Sequence, residues 1–237
     1  MSAPFKLPRL YAILDVGCFA ASAAGTPENS PARKRWESSP YRTESASADG
    51  TLLRILDFAR GLVHGGVTLI QYRNKLGTAR EILSHARELK RVLPPEVTLF
   101  LNDRPDLCLA AGLQGVHVGQ DDLSPEAARF VMGRQKLLGV STHNAEQLQL
   151  ADKAPVDYIA IGPIFATRSK QNPDPVVGLD GLRGVRKLTR KPLVAIGGIT
   201  RHNCREVIAA GADSVAVIAD LLQEPRLRAE EFLALLK

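Results

Sequence analysis

Asn102–Asp122 reads NDRPDLCLAAGLQGVHVGQDD. The run VTLFL (97–101) just before it is apolar and of strand length. Asn-Asp-Arg-Pro is then helix-start chemistry. DLCLAAG fits a short helix closed by Gly112, and QGVHV (114–118) is a second strand that ends in Gly-Gln-Asp-Asp. Asp103 and Asp122 therefore fall just past the carboxyl ends of two strands one βα unit apart. In a parallel α/β sheet or barrel that is the ligand-binding face. Two carboxylates converging there are hard oxygen ligands, suited to Mg²⁺ carrying a substrate's phosphates. The competing reading is that each acid caps the helix behind it, because Asp is a favoured N-cap.

Outward from this stretch, the same unit recurs. RLYAILD (9–15) is a first strand. From Gly17 to Gly50 the chain turns to small residues, Ser, Pro and mixed charge without period, which predicts a flexible insertion in the first βα loop. TLLRILDFARGLVHGG restores helical periodicity, and VTLIQYRNK (67–75) is the second strand with its polar exit. TAREILSHARELKRVL is an amphipathic helix stopped by Pro94-Pro95. SPEAARFVMG is a helix with Ser124 as its cap and Pro125 in its first position. Further strands are expected in KLLGVSTHN, in VDYIAIGPIF (156–165), in PLVAIGGIT and in DSVAVIADLL. The helices between them are AEQLQLADKA, LDGLRGVRKL and a segment from Arg201 to Gly211, and one more helix closes the chain. Eight strand–helix units in strict alternation, with strands apolar on both faces, predict a single-domain α/β protein of the (β/α)₈ TIM-barrel class. A doubly wound open sheet is the alternative, disfavoured because no GxGxxG follows the first strand.

Composition limits the function. A chain of 237 residues suits one large barrel core. No apolar run approaches the roughly 18 residues of a membrane span, and no signal-like opening is present. Cys18, Cys108 and Cys204 form no CxxC, and an odd count gives no disulfide framework, so a cytoplasmic setting is expected. The net charge of +6 suits an anionic ligand. The cations are scattered along helices and not interleaved with the few aromatic residues, so nucleic acid is disfavoured.

The polar residues at the other strand exits read as a set. Gln71, Arg73 and Lys75 follow strand two, and their spacing of two sends all three to one side of an extended chain. Asn102 and Asp103 follow strand three and Asp122 strand four; Ser141, Thr142 and His143 follow strand five. Strand six leads to Thr167, Ser169 and Lys170. Gly197-Gly198 and Ile218-Ala219 end strands seven and eight, where barrels often build a phosphate cup from backbone N–H groups. Two anion sites are expected: that cup, and a cation-rich pocket with two carboxylates that suits a diphosphate.

The motifs QYRNK, NDRPD, GVHVGQDD, GVSTHN, GPIFATRSK, AIGGI and GADSVAVI, in this order, resemble the thiamine-phosphate synthase family from about Tyr11 to the end, residues 17–50 excepted. The resemblance implies a Mg²⁺-dependent transferase that joins a hydroxymethylpyrimidine diphosphate to a thiazole phosphate and releases pyrophosphate. It implies that Gln71, Arg73, Lys75 and Asn102 hold the pyrimidine diphosphate, that Asp103 and Asp122 ligate Mg²⁺, and that Ser141 and Lys170 contact the pyrimidine substrate and its diphosphate. Thr167, Arg168, Ser169, Gly198, Ile218 and Ala219 would hold the thiazole phosphate. Arg73, Lys75, Ser141 and Lys170 are then the residues expected to act on the reacting bond. No Ser-His-Asp or Cys-His nucleophile is required if the pyrimidine CH₂–O bond ionises, because that step needs charge stabilisation on the leaving group and then positioning.

The sequence departs from the family at Asn74, where an acid is usual, at Ala219 in place of Ser, and at Leu14 in place of a common Thr before Asp15. His117 is expected to line the barrel, since Val116 and Val118 face the other way; His143 either joins the site or begins the fifth helix. Neither is placed among the catalytic residues. A thiazole tautomerase on a similar barrel would keep the cup but need no diphosphate or metal ligands, and a non-catalytic phosphate-binding barrel is disfavoured by complete ligand sets at six strand exits. The sequence leaves the oligomeric state open, a homo-oligomer included.

Overall fold

A computed structural model describes residues 6–19, 49–167 and 174–237. Eight strands run β1 (Leu10–Asp15), β2 (Leu69–Arg73), β3 (Thr98–Asn102), β4 (Gly115–Val118), β5 (Leu137–Thr142), β6 (Tyr158–Ile161), β7 (Leu193–Ile196) and β8 (Ser214–Val217). They pair in parallel in sequence order and close, β1 on β8, through Leu10 opposite Val215. Between and after them lie α1 (Asp49–His64), α2 (Ala79–Val92), α3 (Pro105–Ala111), α4 (Pro125–Met132), α5 (Ala145–Lys153), α6 (Gly178–Arg186), α7 (Cys204–Ala209) and α8 (Pro225–Leu235). This is the single-domain (β/α)₈ barrel that the alternation predicts, and not the open sheet.

Local chemistry sets the helix ends. Thr78 and Glu81 form a reciprocal capping box on α2. Ser124 Oγ accepts from the Ala127 N–H at 3.2 Å and Pro125 begins α4, as expected. Gly112 closes α3 in the left-handed conformation with φ 67°. Two boundaries differ. β6 stops at Ile161 rather than Phe165, because Pro163 has no N–H for the ladder. α7 begins at Cys204 rather than Arg201, since Asn203 Oδ1 accepts from the Thr200 N–H at 2.8 Å and holds those residues in a turn.

The expected insertion over 17–50 also needs trimming. Residues 16–19 form a helical turn, and the Phe19 ring meets Phe58 of α1 edge-on with centroids 5.2 Å apart. Asp49 and Gly50 already belong to α1. The rest of that segment lies outside the described residues.

Outward strand residues pack with inward helix residues such as Ile55, Ala59, Leu62 and Phe232 into one continuous apolar layer. The lumen is a separate, smaller core built by Tyr11, Ile13, Leu69, Phe100, Tyr158, Ala160, Val194 and Ala216. Glycine makes room for its rings: a Cβ on Gly139 would sit 2.0 Å from Tyr158 Cζ, and one on Gly115 would sit 2.4 Å from Phe100 Cε1. Aromatics therefore fill the lower lumen. The polar side chains are left for the upper mouth.

Candidate active site

The alternation of a strand sends Gln71, Arg73 and Lys75 the same way, and all three border one cavity of about 510 Å³ at the carboxyl mouth of the barrel. That volume is within the range that holds small-molecule ligands. Tyr72 and Asn74 point outward. The Tyr72 hydroxyl meets His85 Nδ1 at 2.8 Å, and Asn74 closes the β2–α2 turn by accepting from the N–H groups of Leu76 (3.2 Å) and Gly77 (2.8 Å). Asn74 thus differs from the family's usual acid at a position that works on the turn. Asn74→Asp keeps the turn acceptor and is expected to leave kcat/KM within about twofold. Asn74→Ala frees the turn beside Lys75 and is expected to lower it further; steady-state kinetics on both variants checks this.

Arg73 has a partner that sequence reading missed. Its guanidinium forms an ion pair with Asp15 at the end of β1, the residue directly opposite it in the strand register. Asp15 is only 5% exposed and also accepts from the Gly17 N–H at 3.0 Å.

The two carboxylates that opened the sequence reading do not cap helices. Arg104 is the N-cap residue of α3 and makes no side-chain cap bond, while Ser124 caps α4. Asp103 has φ 63°, a left-handed backbone that Asp and Asn tolerate better than most residues, and its N–H donates to His117 O at 2.8 Å. That conformation carries its carboxylate to the cavity, where Lys75 Nζ lies 2.9 Å away. Burial raises the Asp103 carboxyl to about 6; the Asp122 carboxyl within hydrogen-bond reach adds to the shift, and Lys75 opposes it. Asp122 accepts from the Gly119 N–H at 2.7 Å, which holds the β4 exit loop closed around it.

Asn102, Ser141, Thr167, Gly198, Ile218 and Ala219 border the same cavity, so every expected site residue among those described comes together there. Arg168, Ser169 and Lys170 lie outside the described residues. The two expected anion sites are regions of one cavity. Gly197 and Gly198 take φ 99° and 64° at the β7 exit, and a Cβ on Gly198 would sit 2.7 Å from Ala166 O. Facing them, Ala219 starts a 3₁₀ turn (Ala219–Leu221) after β8. Asp220 in that turn is held by Arg201, through the backbone N–H at 2.8 Å and Nε at 3.1 Å.

Sequence reading also left out the histidines. His117 Nε2 lies 2.8 Å from Ser141 Oγ and its Nδ1 2.8 Å from the Tyr158 hydroxyl, with the two rings stacked. Burial lowers His117 to about 4, so the ring is neutral near pH 7. His143 Nδ1 lies 2.6 Å from Gly162 O, and Asn144, not His143, caps α5. Gln120, also missed, donates to Ser141 O at 2.6 Å and ties the β4 exit to the β5 exit. His117 and Ser141 were detectable as polar residues in the inward phase of their strands.

A closed parallel barrel whose mouth gathers a carboxylate pair, cations and a glycine-lined turn is an enzyme of small-molecule chemistry. Residues 45–221 match the model of the thiamine monophosphate synthase family. A thiamine-phosphate synthase of Koribacter versatilis is 66% identical over 236 residues, covering all of this chain and 99% of that protein. That of Methanoregula boonei is 45% identical over 170 residues, 71% of this chain and 79% of that protein. The solved thiamine phosphate pyrophosphorylase from Pyrococcus furiosus superposes with a TM-score of 0.69 at 32% identity, covering 76% of this chain and 88% of that one. The chain belongs to the thiamine monophosphate synthase family and is a transferase. The Koribacter alignment spans the whole chain, so the long segment between β1 and α1 is not peculiar to it. Cys18, Cys108 and Cys204 are thiols. Among the described residues no helix is long and apolar enough to cross a membrane.

Proposed function

We propose that this chain condenses 4-amino-2-methyl-5-(diphosphooxymethyl)pyrimidine with 4-methyl-5-(2-phosphooxyethyl)thiazole to give thiamine phosphate and pyrophosphate. The observation that carries the reading is the convergence of Arg73, Lys75, Asp103, Asp122 and Ser141 on one cavity, in a chain 66% identical to a thiamine-phosphate synthase. Arg73 and Lys75 bind the diphosphate and stabilise the charge that builds as the CH₂–O bond ionises. Gln71 and Asn102 hold the pyrimidine diphosphate, and Ser141 donates to it. The glycine turn at β7 and the backbone at Ile218-Ala219 orient the thiazole phosphate so that its ring nitrogen meets the methylene carbon. The family resemblance assigns Thr167, Arg168 and Ser169 to the thiazole phosphate and Lys170 to the leaving diphosphate.

The carboxylate pair fits Mg²⁺. Among the described residues no cluster of three or more His, Cys, Asp or Glu could hold a metal. Two carboxylates suffice for an ion that keeps its waters and takes the rest of its oxygens from phosphates. Burial, and then the Asp122 carboxyl beside it, raise the Asp103 carboxyl against the pull of Lys75, and a cation shared by the two carboxylates would offset both. When bound, Mg²⁺ would neutralise charge on the leaving diphosphate through Asp103 and Asp122. A thiazole tautomerase would need neither carboxylate.

Purified protein given both substrates and Mg²⁺ should form thiamine phosphate and pyrophosphate in equal amounts; formation of neither would overturn the reading. Within it, Lys170→Ala is expected to lower kcat by roughly a hundredfold, since its contact strengthens as the bond breaks. Gly198→Ala is expected chiefly to raise the KM for the thiazole phosphate, which is unchanged in the step. Varying each substrate in turn separates the two, and the opposite pattern would exchange the ends of the cavity.

A further inference from the structure

A chain of hydrogen bonds crosses the lumen directly beneath the cavity. Gln71 Nε2 donates to the Tyr11 hydroxyl at 2.8 Å. The Tyr11 and Tyr158 hydroxyls are 3.0 Å apart, Tyr158 is 2.8 Å from His117 Nδ1, and His117 Nε2 is 2.8 Å from Ser141 Oγ. Tyr11 and Tyr158 are 1% and 0% exposed, so water does not compete for these groups.

The first link sets the direction of the rest. An amide nitrogen can only donate, so the Tyr11 oxygen accepts from Gln71 and its own proton goes to the remaining partner, Tyr158. Tyr158, having accepted, gives its proton to His117 Nδ1. A neutral imidazole that accepts at Nδ1 carries its hydrogen on Nε2 and donates it to Ser141 Oγ. The serine proton is then left for the cavity.

We propose that His117 is a positioning residue, fixed by this buried relay as the Nε2–H tautomer, which turns the Ser141 hydroxyl outward as a donor to a substrate phosphate oxygen. Burial supports it independently, by keeping the two phenols protonated. The relay joins two site residues across the lumen, Gln71 on β2 and Ser141 on β5, through the buried side chains of Tyr11, Tyr158 and His117. The consequence for the substrate rests on the function proposed above; the tautomer does not.

The two are tested separately. Protein labelled with ¹⁵N-histidine, with His117 assigned by its loss in His117→Gln, should show an unprotonated Nδ1 and a protonated Nε2. An Nδ1–H tautomer would overturn the relay whether or not the enzyme makes thiamine phosphate. For the consequence, Tyr158→Phe removes one hydroxyl and keeps the ring over Gly139, and should lower kcat roughly tenfold. Tyr11→Phe leaves Tyr158 able to donate to His117 and should cost less. In a Ser141→Ala background, Tyr158→Phe should have no further effect on kcat, because the relay acts only through that hydroxyl. An undiminished loss in that background would show a merely structural role for Tyr158 and overturn the positioning claim. Absence of product from the unaltered enzyme would instead overturn the function, leaving the tautomer result to stand by itself.

Discussion

Asp103→Asn is expected to abolish most turnover, by roughly a hundredfold or more, while leaving the ligand-free protein as stable as before or more so. The catalytic loss follows from removing one of the two carboxylates proposed to hold Mg²⁺. The stability result follows from the geometry: a part-buried acid within reach of a second carboxylate, with Lys75 as its counter-charge. Asn keeps the size of the side chain and tolerates the left-handed backbone at φ 63°. The pH dependence has a definite sign. The folded-state value of about 6 lies above the ordinary 3.8, so the native state holds this proton more tightly than the unfolded chain. Its contribution to stability is complete below the unfolded value and is lost as pH rises through about 6. The Asn variant escapes that loss, so its advantage in Tm should be largest above that pH and fade toward acid. After screening by solvent, the effect is on the order of 1 kcal/mol. Mg²⁺ with pyrophosphate should raise the Tm of the unaltered protein and not of the variant. A variant that melts several degrees lower at neutral pH, or that turns over normally in EDTA, would contradict this account.

Arg73→Ala should damage both activity and stability, and a second substitution should separate the two. Asp15 is nearly fully buried, and without the guanidinium it keeps only the Gly17 N–H as a partner among its described bonds. Breaking one side of such a pair leaves an uncompensated charge and costs about 3 kcal/mol. Asp15→Asn in the same chain neutralises that charge and should restore most of the lost Tm. It cannot restore the cation proposed to face the diphosphate, so kcat should stay low. Denaturant melts and kinetics on the single and double variants measure both parts. No recovery of stability in the double variant would mean that Arg73 acts mainly through its packing.

The barrel itself was legible because alternation and apolar strands leave few other architectures, and the strand exits named the residues that border the cavity. What stayed hidden depended on register and on geometry within the lumen. Asp15 and Arg73 are neighbours only through the pairing of β1 with β2, which the sequence does not specify. Tyr11 and Tyr158 look like ordinary strand aromatics until closure brings their hydroxyls to 3.0 Å. The left-handed backbone at Asp103 has no local signature; Asp before Arg-Pro reads as a helix start. Asn74 was visible as a departure, but not that its side chain faces the turn.

Gly139 is not among the residues that border the cavity, yet it decides where the Tyr158 ring sits. The Tyr158 ring lies in the space that a side chain on Gly139 would fill, and its hydroxyl supports the floor on which Gln71, His117 and Ser141 stand. A single added methyl would displace that ring and disturb the hydrogen bonds its hydroxyl makes to Tyr11 and His117. The proton order proposed above is thus written into a hydrogen atom on a residue outside the cavity's lining.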